Sequence, residues 1–213
     1  MKGKNKSLAR KPGNATAAPT IAIVCEGAVT ECVCFEGIRK DLRLATTRIL
    51  VTGIGSDPVS VVKAASAKAK DFDQVWAVFD VEAPTPHANL NTALKLAEEL
   101  GVRCAVSNPC FEFWLLLHFK DWTAYLDNAV VRKKIKAYPG RYSDKDFDFA
   151  ATWPAHRSAI DRAAKLDARQ MTDHPDDVIA RNPWTSVHNL VGVLVELHRW
   201  RRAGGAVMIV AGP

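Results

Sequence analysis

Residues 75–82, V-W-A-V-F-D-V-E, form an apolar run that ends in two carboxylates. Five consecutive apolar residues of β-branched and aromatic type predict a strand that is buried on both faces, as at the centre of a parallel sheet. If the strand continues to its last residue, Asp80 and Glu82 point to the same side and offer hard oxygen ligands to a divalent cation. The alternative is that Asp80 caps the next helix and Glu82 lies in a solvated loop.

Strand and helix patterns alternate on both sides of this run. The pattern predicts strands at residues 20–26, 47–52 and 102–106, and helices at 30–44, 58–70 and 87–100. Such alternation predicts an α/β fold with a doubly wound parallel sheet, whose strands all end at one edge. Glu26 follows the first strand, so we expect it to project from the same edge as Asp80, where ligands of such sheets bind.

Residues 107–119, S-N-P-C-F-E-F-W-L-L-L-H-F, predict a turn followed by a strongly apolar core helix. Glu112 lies near the start of that helix, where the helix dipole favours a carboxylate. Its apolar neighbours would partly desolvate it, so a partner or a metal must compensate. Asn108 and His118 are candidates for phosphate contact, although a single histidine late in an apolar helix is more often structural.

The second half of the chain is more charged and helical. Residues 121–170 contain a basic patch, Arg132, Lys133, Lys134 and Lys136, that either contacts phosphates or is a solvated helix face. Residues 184–202 predict a final amphipathic helix. The apolar residues 206–211 are expected to add a strand or to dock on the core.

Net charge is concentrated at the N-terminus. Five of the net six positive charges lie in residues 1–19, which contain no acid, so this arm is expected to be disordered and to touch polyanions. We expect an α/β core over residues 20–120 and a helical extension over 121–213 packed on that core.

The cysteines and the N-terminus bear on the cellular compartment. The chain has five cysteines without a C-x-x-C pair, so a zinc site and a disulfide framework are both improbable. No apolar segment approaches the length of a membrane span, and the basic N-terminus lacks the apolar region of a secretory signal. We therefore expect a cytoplasmic protein.

Four stretches together resemble the RloB-like family, whose members carry a Toprim domain. They are I-V-C-E-G-A-V-T-E at residues 23–31, the 75–82 run, the 107–119 segment, and R-N-P-W-T-S-V-H-N-L-V at 181–191. The resemblance implies that Glu26 acts as a general acid or base and that a D-x-D element holds Mg²⁺. Here that element is Asp80-Val81-Glu82, with Glu in place of the second Asp.

The resemblance also implies a function. Phosphodiester hydrolysis needs an activated water, a metal and a group that moves a proton, and Glu26, Asp80 and Glu82 on one edge offer all three, with Glu112 as a further ligand. The favoured hypothesis is a nuclease dependent on Mg²⁺ or Mn²⁺ that acts on DNA or RNA in phage defence. The alternative is a catalytically inactive Toprim-type module that binds nucleic acid or a nucleotide together with a partner defence protein.

Overall fold

A computed structural model describes residues 18–45, 48–138, 142–143 and 146–204. Almost all of the predicted N-terminal arm and all of residues 206–211 lie outside the described residues. The strands are β1 Ile21–Cys25, β2 Ile49–Gly53, β3 Gln74–Asp80, β4 Arg103–Asn108, β5 Tyr142–Ser143, β6 Asp146–Phe147 and β7 Trp184–Thr185. The helices are α1 Thr30–Asp41, α2 Pro58–Ser66, α3 Leu90–Leu100, α4 Glu112–Leu116, α5 Asn128–Lys136, α6 Phe149–Thr152, α7 His156–Asp173 and α8 Val187–Arg202.

The predicted central strand, β3, lies in the middle of a five-stranded sheet of order β2-β1-β3-β4-β7. The pairs β2–β1, β1–β3 and β3–β4 are parallel, which confirms the α/β fold class. One hydrophobic core on the α1 side of the sheet includes Ile21 and Ile23, and a second on the α2 and α3 side includes Ala22 and Val24. Helices therefore cover both faces, as a doubly wound sheet requires.

The sheet is mixed rather than wholly parallel, because β7 joins its edge antiparallel to β4. Trp184, predicted as the first residue of the final helix, is instead a strand residue paired with Asn108. Its indole Nε1 donates a hydrogen bond of 2.6 Å to Asp167, on α7. These long-range partners override the local helical pattern, so α8 begins at Val187.

The C-terminal region shares a core with the first half of the chain. Leu190 and Leu194 of α8 are fully buried in the same cluster as Ile21 and Phe35. The segment after residue 120 thus supplies an edge strand, and α8 packs against β4. None of the described helices is long and apolar enough to cross a membrane.

Several predicted boundaries differ from the observed ones. Helix α1 ends at Asp41 rather than residue 44, and Arg43 just beyond it has a positive φ of 52°. Helix α2 ends at Ser66, and α3 begins at Leu90 after an irregular loop. The apolar 107–119 segment forms only the short helix α4. Its outer residues pack as turns around the same apolar core.

Candidate functional site: a carboxylate-lined cleft

A cleft of about 530 Å³ opens at the edge of the sheet where β1, β2 and β3 end. We call it the carboxylate cleft. Six acidic residues line it among the described residues, together with His87 and Arg132: Glu26, Glu31, Asp57, Asp80, Glu82 and Glu112. The structure thus brings all four predicted site residues, Glu26, Asp80, Glu82 and Glu112, to one cavity, as the common direction of the parallel strands leads one to expect.

Glu26 follows β1 directly and is held from two sides. Its Oε2 accepts a hydrogen bond of 3.0 Å from the backbone N–H of Asp80, and its Oε1 lies 2.9 Å from His87 Nε2. The His87 contact is an ion pair only when the imidazole is protonated. Burial raises the pKa of Glu26, and the Asp80 N–H and His87 partly oppose that rise. The two contacts therefore hold the carboxyl group in place, and its pKa is shifted towards the range of a group that transfers protons.

Asp80 and Glu82 do not continue one strand, so the condition under which both side chains would point to the same side is not met. Strand β3 ends at Asp80, and Glu82 has a positive φ of 67°, the left-handed conformation that non-glycine residues rarely adopt. The backbone N–H of Glu82 donates to Pro109 O at 2.9 Å, which turns the chain there. Both residues nevertheless line the carboxylate cleft.

Asp80 is the most strongly perturbed acid of the cleft. Burial, together with the charges of Glu31, Glu112 and Glu26, raises its pKa well above the usual range. A hydrogen bond from the Phe111 backbone opposes the rise only in part. Asp80 thus carries an electrostatic penalty that a bound cation would remove.

Glu112 is buried at the first position of α4, and the partner that the sequence analysis required is Tyr142. The phenol of Tyr142 donates a hydrogen bond of 2.6 Å to Glu112 Oε1. Burial and this hydrogen bond raise the pKa of Tyr142, so it remains a donor across the physiological range. One oxygen of Glu112 is therefore engaged by the protein.

Glu31 is a further acid of the cleft that sequence reasoning missed. It lies in the first turn of α1, is 7% exposed, and its Oε1 accepts a hydrogen bond of 3.1 Å from the N–H of Gly27. A Cβ added to Gly27 would lie 2.2 Å from a Glu31 carboxylate oxygen, so a larger residue there would displace the Glu31 side chain. Burial and the Glu112 charge raise the pKa of Glu31. The sequence did contain a signal for Glu31, because it is the last residue of the E-G-A-V-T-E motif that begins at Glu26.

His87 and Arg132 reach the cleft from distant parts of the chain. His87 follows a Pro-rich loop, and Arg132 projects from α5 beside Glu112. Nothing in the local sequence distinguishes His87. Arg132 belonged to the predicted basic patch, of which it alone lines the cleft among the described residues.

Asn108 and His118, considered as phosphate contacts, have structural partners. The Asn108 amide donates to the backbone carbonyls of Val178 and Ile179, at 3.3 and 3.0 Å. His118 Nδ1 lies 3.1 Å from Trp114 O, and burial lowers the pKa of His118 to about 4. Neither residue lines the carboxylate cleft. The structural reading of His118 therefore fits its surroundings.

The donor chemistry of the cleft suits a hard divalent cation, since Mg²⁺ and Mn²⁺ prefer carboxylate oxygens. Burial is the main cause of the raised pKa values of Asp80, Glu26 and Glu31, and the charges of neighbouring carboxylates add to each rise. Within the described residues, no group of three His, Cys, Asp or Glu side chains is yet arranged as a complete ligand set. Cation binding would thus require side-chain movement within the cleft.

The family model described as RloB-like protein matches residues 21–194 of the chain. The chain belongs to the RloB-like family. The match covers the sheet, the acidic residues of the cleft and the first half of α8, and it agrees with the resemblance carried by the four sequence motifs. Comparisons with curated proteins and with solved structures give no match.

Proposed function

We propose that this RloB-like chain is a metal-dependent nuclease of Toprim type, which hydrolyses phosphodiester bonds in the carboxylate cleft. The observation that carries the proposal is the convergence of Glu26, Glu31, Asp80, Glu82 and Glu112 at the carboxyl ends of parallel strands. Crowded acids of raised pKa cost stability in a purely structural role. A function that uses them together explains their presence.

Asp80 and Glu82 would hold Mg²⁺ or Mn²⁺, with Glu26, Glu31 and Glu112 within the same cleft. When bound, the cation supplies charge neutralisation of phosphate oxygens and a lower pKa for water. Glu82 in place of the second aspartate of the D-x-D element retains an oxygen ligand on a longer arm.

Glu26 is the proposed proton carrier. Its raised pKa and its two fixed contacts suit a group that accepts a proton from the attacking water. His87 is a positioning residue, because it contacts Glu26 Oε1 and so restricts the orientation of that carboxyl group. The same His87 charge would favour return of Glu26 to its ionised form.

The basic face of α5 supports an anionic substrate. Arg132, Lys133 and Lys136 are exposed on this helix, and Arg132 lies at the cleft. A polynucleotide passing along α5 would present phosphates to these side chains and one scissile phosphate to the acids. Support for a role in phage defence, with a partner defence protein, comes from the family resemblance alone.

The test is incubation of the purified protein with panels of DNA and RNA, with Mg²⁺ or Mn²⁺ and with EDTA controls. Cation-dependent cleavage that Glu26→Gln abolishes and Glu196→Gln retains would support the nuclease. Glu196 is a matched control because it is an exposed glutamate of α8. Saturable binding of nucleic acid without cleavage under any cation would instead support the alternative, an inactive binding module.

A further inference from the structure

Two thiols bracket the loop that carries the proposed proton carrier. Cys25 is the last residue of β1 and immediately precedes Glu26, while Cys32 lies in the first turn of α1 and immediately follows Glu31. Cys25 is fully buried and Cys32 is partly exposed. The proposed nuclease function leaves both thiols unexplained.

The sheet register places the two thiols together. Cys25 is paired with Gly53 on the neighbouring parallel strand. A Cβ added to Gly53 would lie 3.0 Å from Cys32 Sγ. Because paired residues of adjacent strands face the same side at a spacing of about 4.8 Å, Cys32 Sγ lies over the same face as the Cys25 side chain. The missing side chain of Gly53 leaves the space that Cys32 occupies.

The contacts of the two sulfurs agree with this placement. The two thiols interact through their side chains. Cys32 Sγ also lies 3.7 Å from the carbonyl oxygen of Gly27, at the turn between them. The two thiols are thus direct neighbours, although they belong to different secondary-structure elements.

Their environments make the pair chemically unequal. Cys32 is partly exposed, whereas Cys25 is buried, and both its interaction with Cys32 and burial raise the pKa of Cys25. Burial raises the pKa of Cys34 and of Cys104 to about 12. Cys32 is the exposed member of the pair, so it is the thiol that an oxidant meets first.

We propose that Cys25 and Cys32 are an oxidisable pair that a peroxide converts into an intramolecular disulfide. The Cys32 thiolate attacks a peroxide oxygen, the O–O bond breaks, and a sulfenic acid and hydroxide form. The Cys25 sulfur then attacks the Cys32 sulfur and forms the S–S bond, and the Cys25 proton leaves with the displaced hydroxyl group as water. The proton that Cys32 released on ionisation converts the hydroxide into the second water. The two thiols are oxidised and one hydrogen peroxide is reduced to two waters.

The disulfide would close a loop that contains both Glu26 and Glu31. It would tie the first turn of α1 to the end of β1, and so restrict the side-chain movement that a complete cation site in this cleft requires. This consequence for the cleft rests on the proposed function, whereas formation of the disulfide does not. The two can therefore fail separately.

The experiment treats the folded, reduced, full-length protein with stoichiometric hydrogen peroxide, blocks remaining thiols by alkylation, and maps peptides without reduction. Cleavage after glutamate separates the two cysteines, because Glu26 and Glu31 lie between them. Cys32 and Cys34 remain on one peptide, so fragmentation of that peptide assigns the linked sulfur. The expected product is a Cys25–Cys32 link that dithiothreitol reverses.

Cys32→Ser and Cys25→Ala should each abolish the linked peptide, and Cys104→Ser, the matched control at a partly exposed thiol, should retain it. Two variants at the pair keep the test valid if one of them fails to fold. Irreversible oxidation of Cys32 without a link, or a link between Cys25 and Cys34, would overturn the proposal. The presence of the link in a protein without nuclease activity would leave this inference standing and reject only the proposed function.

Discussion

The two ends of α1 carry opposite charge for different physical reasons. At its N-terminal end lies the carboxylate cleft, where Asp80 has no described cationic contact and its pKa is raised well above normal. At its other end Arg43, His198, Arg201 and Arg202 line a cavity of about 570 Å³, which we call the amino-edge cavity.

Two basic side chains of the amino-edge cavity, Arg201 and His198, have structural partners. Arg201 Nη1 donates to Arg43 O at 2.7 Å, and His198 Nδ1 lies 2.7 Å from Leu42 O. Carbonyls at the end of a helix lack intrahelical partners and carry partial negative charge, so cations there stabilise the fold. Helix capping thus explains the basic cluster. The acidic cluster destabilises the free protein, so it calls for a functional explanation.

Glu26→Gln should have the largest effect. Removing the proposed proton carrier is expected to lower cation-dependent cleavage by about 10²–10⁴-fold, the usual contribution of general acid–base catalysis. Cleavage rates under single-turnover conditions measure this effect. Glu196→Gln beside the amino-edge cavity should change the rate little. Equal losses of cleavage rate in both variants would contradict the assignment of function to the carboxylate cleft alone.

Divalent cations should stabilise the protein through the carboxylate cleft. At a concentration of 100 times the Kd, binding contributes about 2.7 kcal/mol to the free energy of unfolding. For a chain of this size that corresponds to a rise in Tm of roughly 5–10 °C, measured by thermal unfolding with Mg²⁺ or Mn²⁺ against EDTA. Asp80→Asn should remove most of the rise. An undiminished rise in that variant would place the cation elsewhere.

Asp80→Asn should also stabilise the metal-free protein, by on the order of 1 kcal/mol at pH 7. The folded-state pKa of Asp80 is raised, so ionisation penalises the folded state at pH values above the unfolded-state pKa. The gain should therefore fade as pH falls towards about 3.9, where the carboxyl group is also protonated in the unfolded chain. Chemical denaturation in EDTA at several pH values checks this. A large loss of stability would mark Asp80 as a structural cap.

Arg201→Gln should have the smallest effect. It removes one hydrogen bond to the carbonyl of Arg43, and its expected cost is about 0.5–1.5 kcal/mol of unfolding free energy. Cleavage should be unchanged, because Arg201 lies at the opposite end of α1 from the cleft. A fall in cleavage without loss of stability would show that nucleic acid also contacts the amino-edge cavity.

Much of the site could be predicted because parallel strands end at a common edge. The apolar runs before Glu26 and Asp80 are long enough to define β1 and β3, and that topology alone brings the two carboxylates together. Glu112 followed from its place at the start of an apolar segment. In each case the informative pattern is local, within about ten residues of the side chain that it places.

The remaining features depend on contacts between residues far apart in the chain. Glu82 turns into a left-handed conformation because its N–H meets Pro109 O, and Glu112 finds its partner in Tyr142. His87 approaches Glu26 across 61 residues, and β7 joins the sheet because Trp184 pairs with Asn108. The sequence by itself determined which side chains emerge from the strand ends, through periodic burial of apolar residues. Only the tertiary structure decided how those side chains are held, because a hydrogen bond or charge contact between distant segments leaves no periodic pattern in either one.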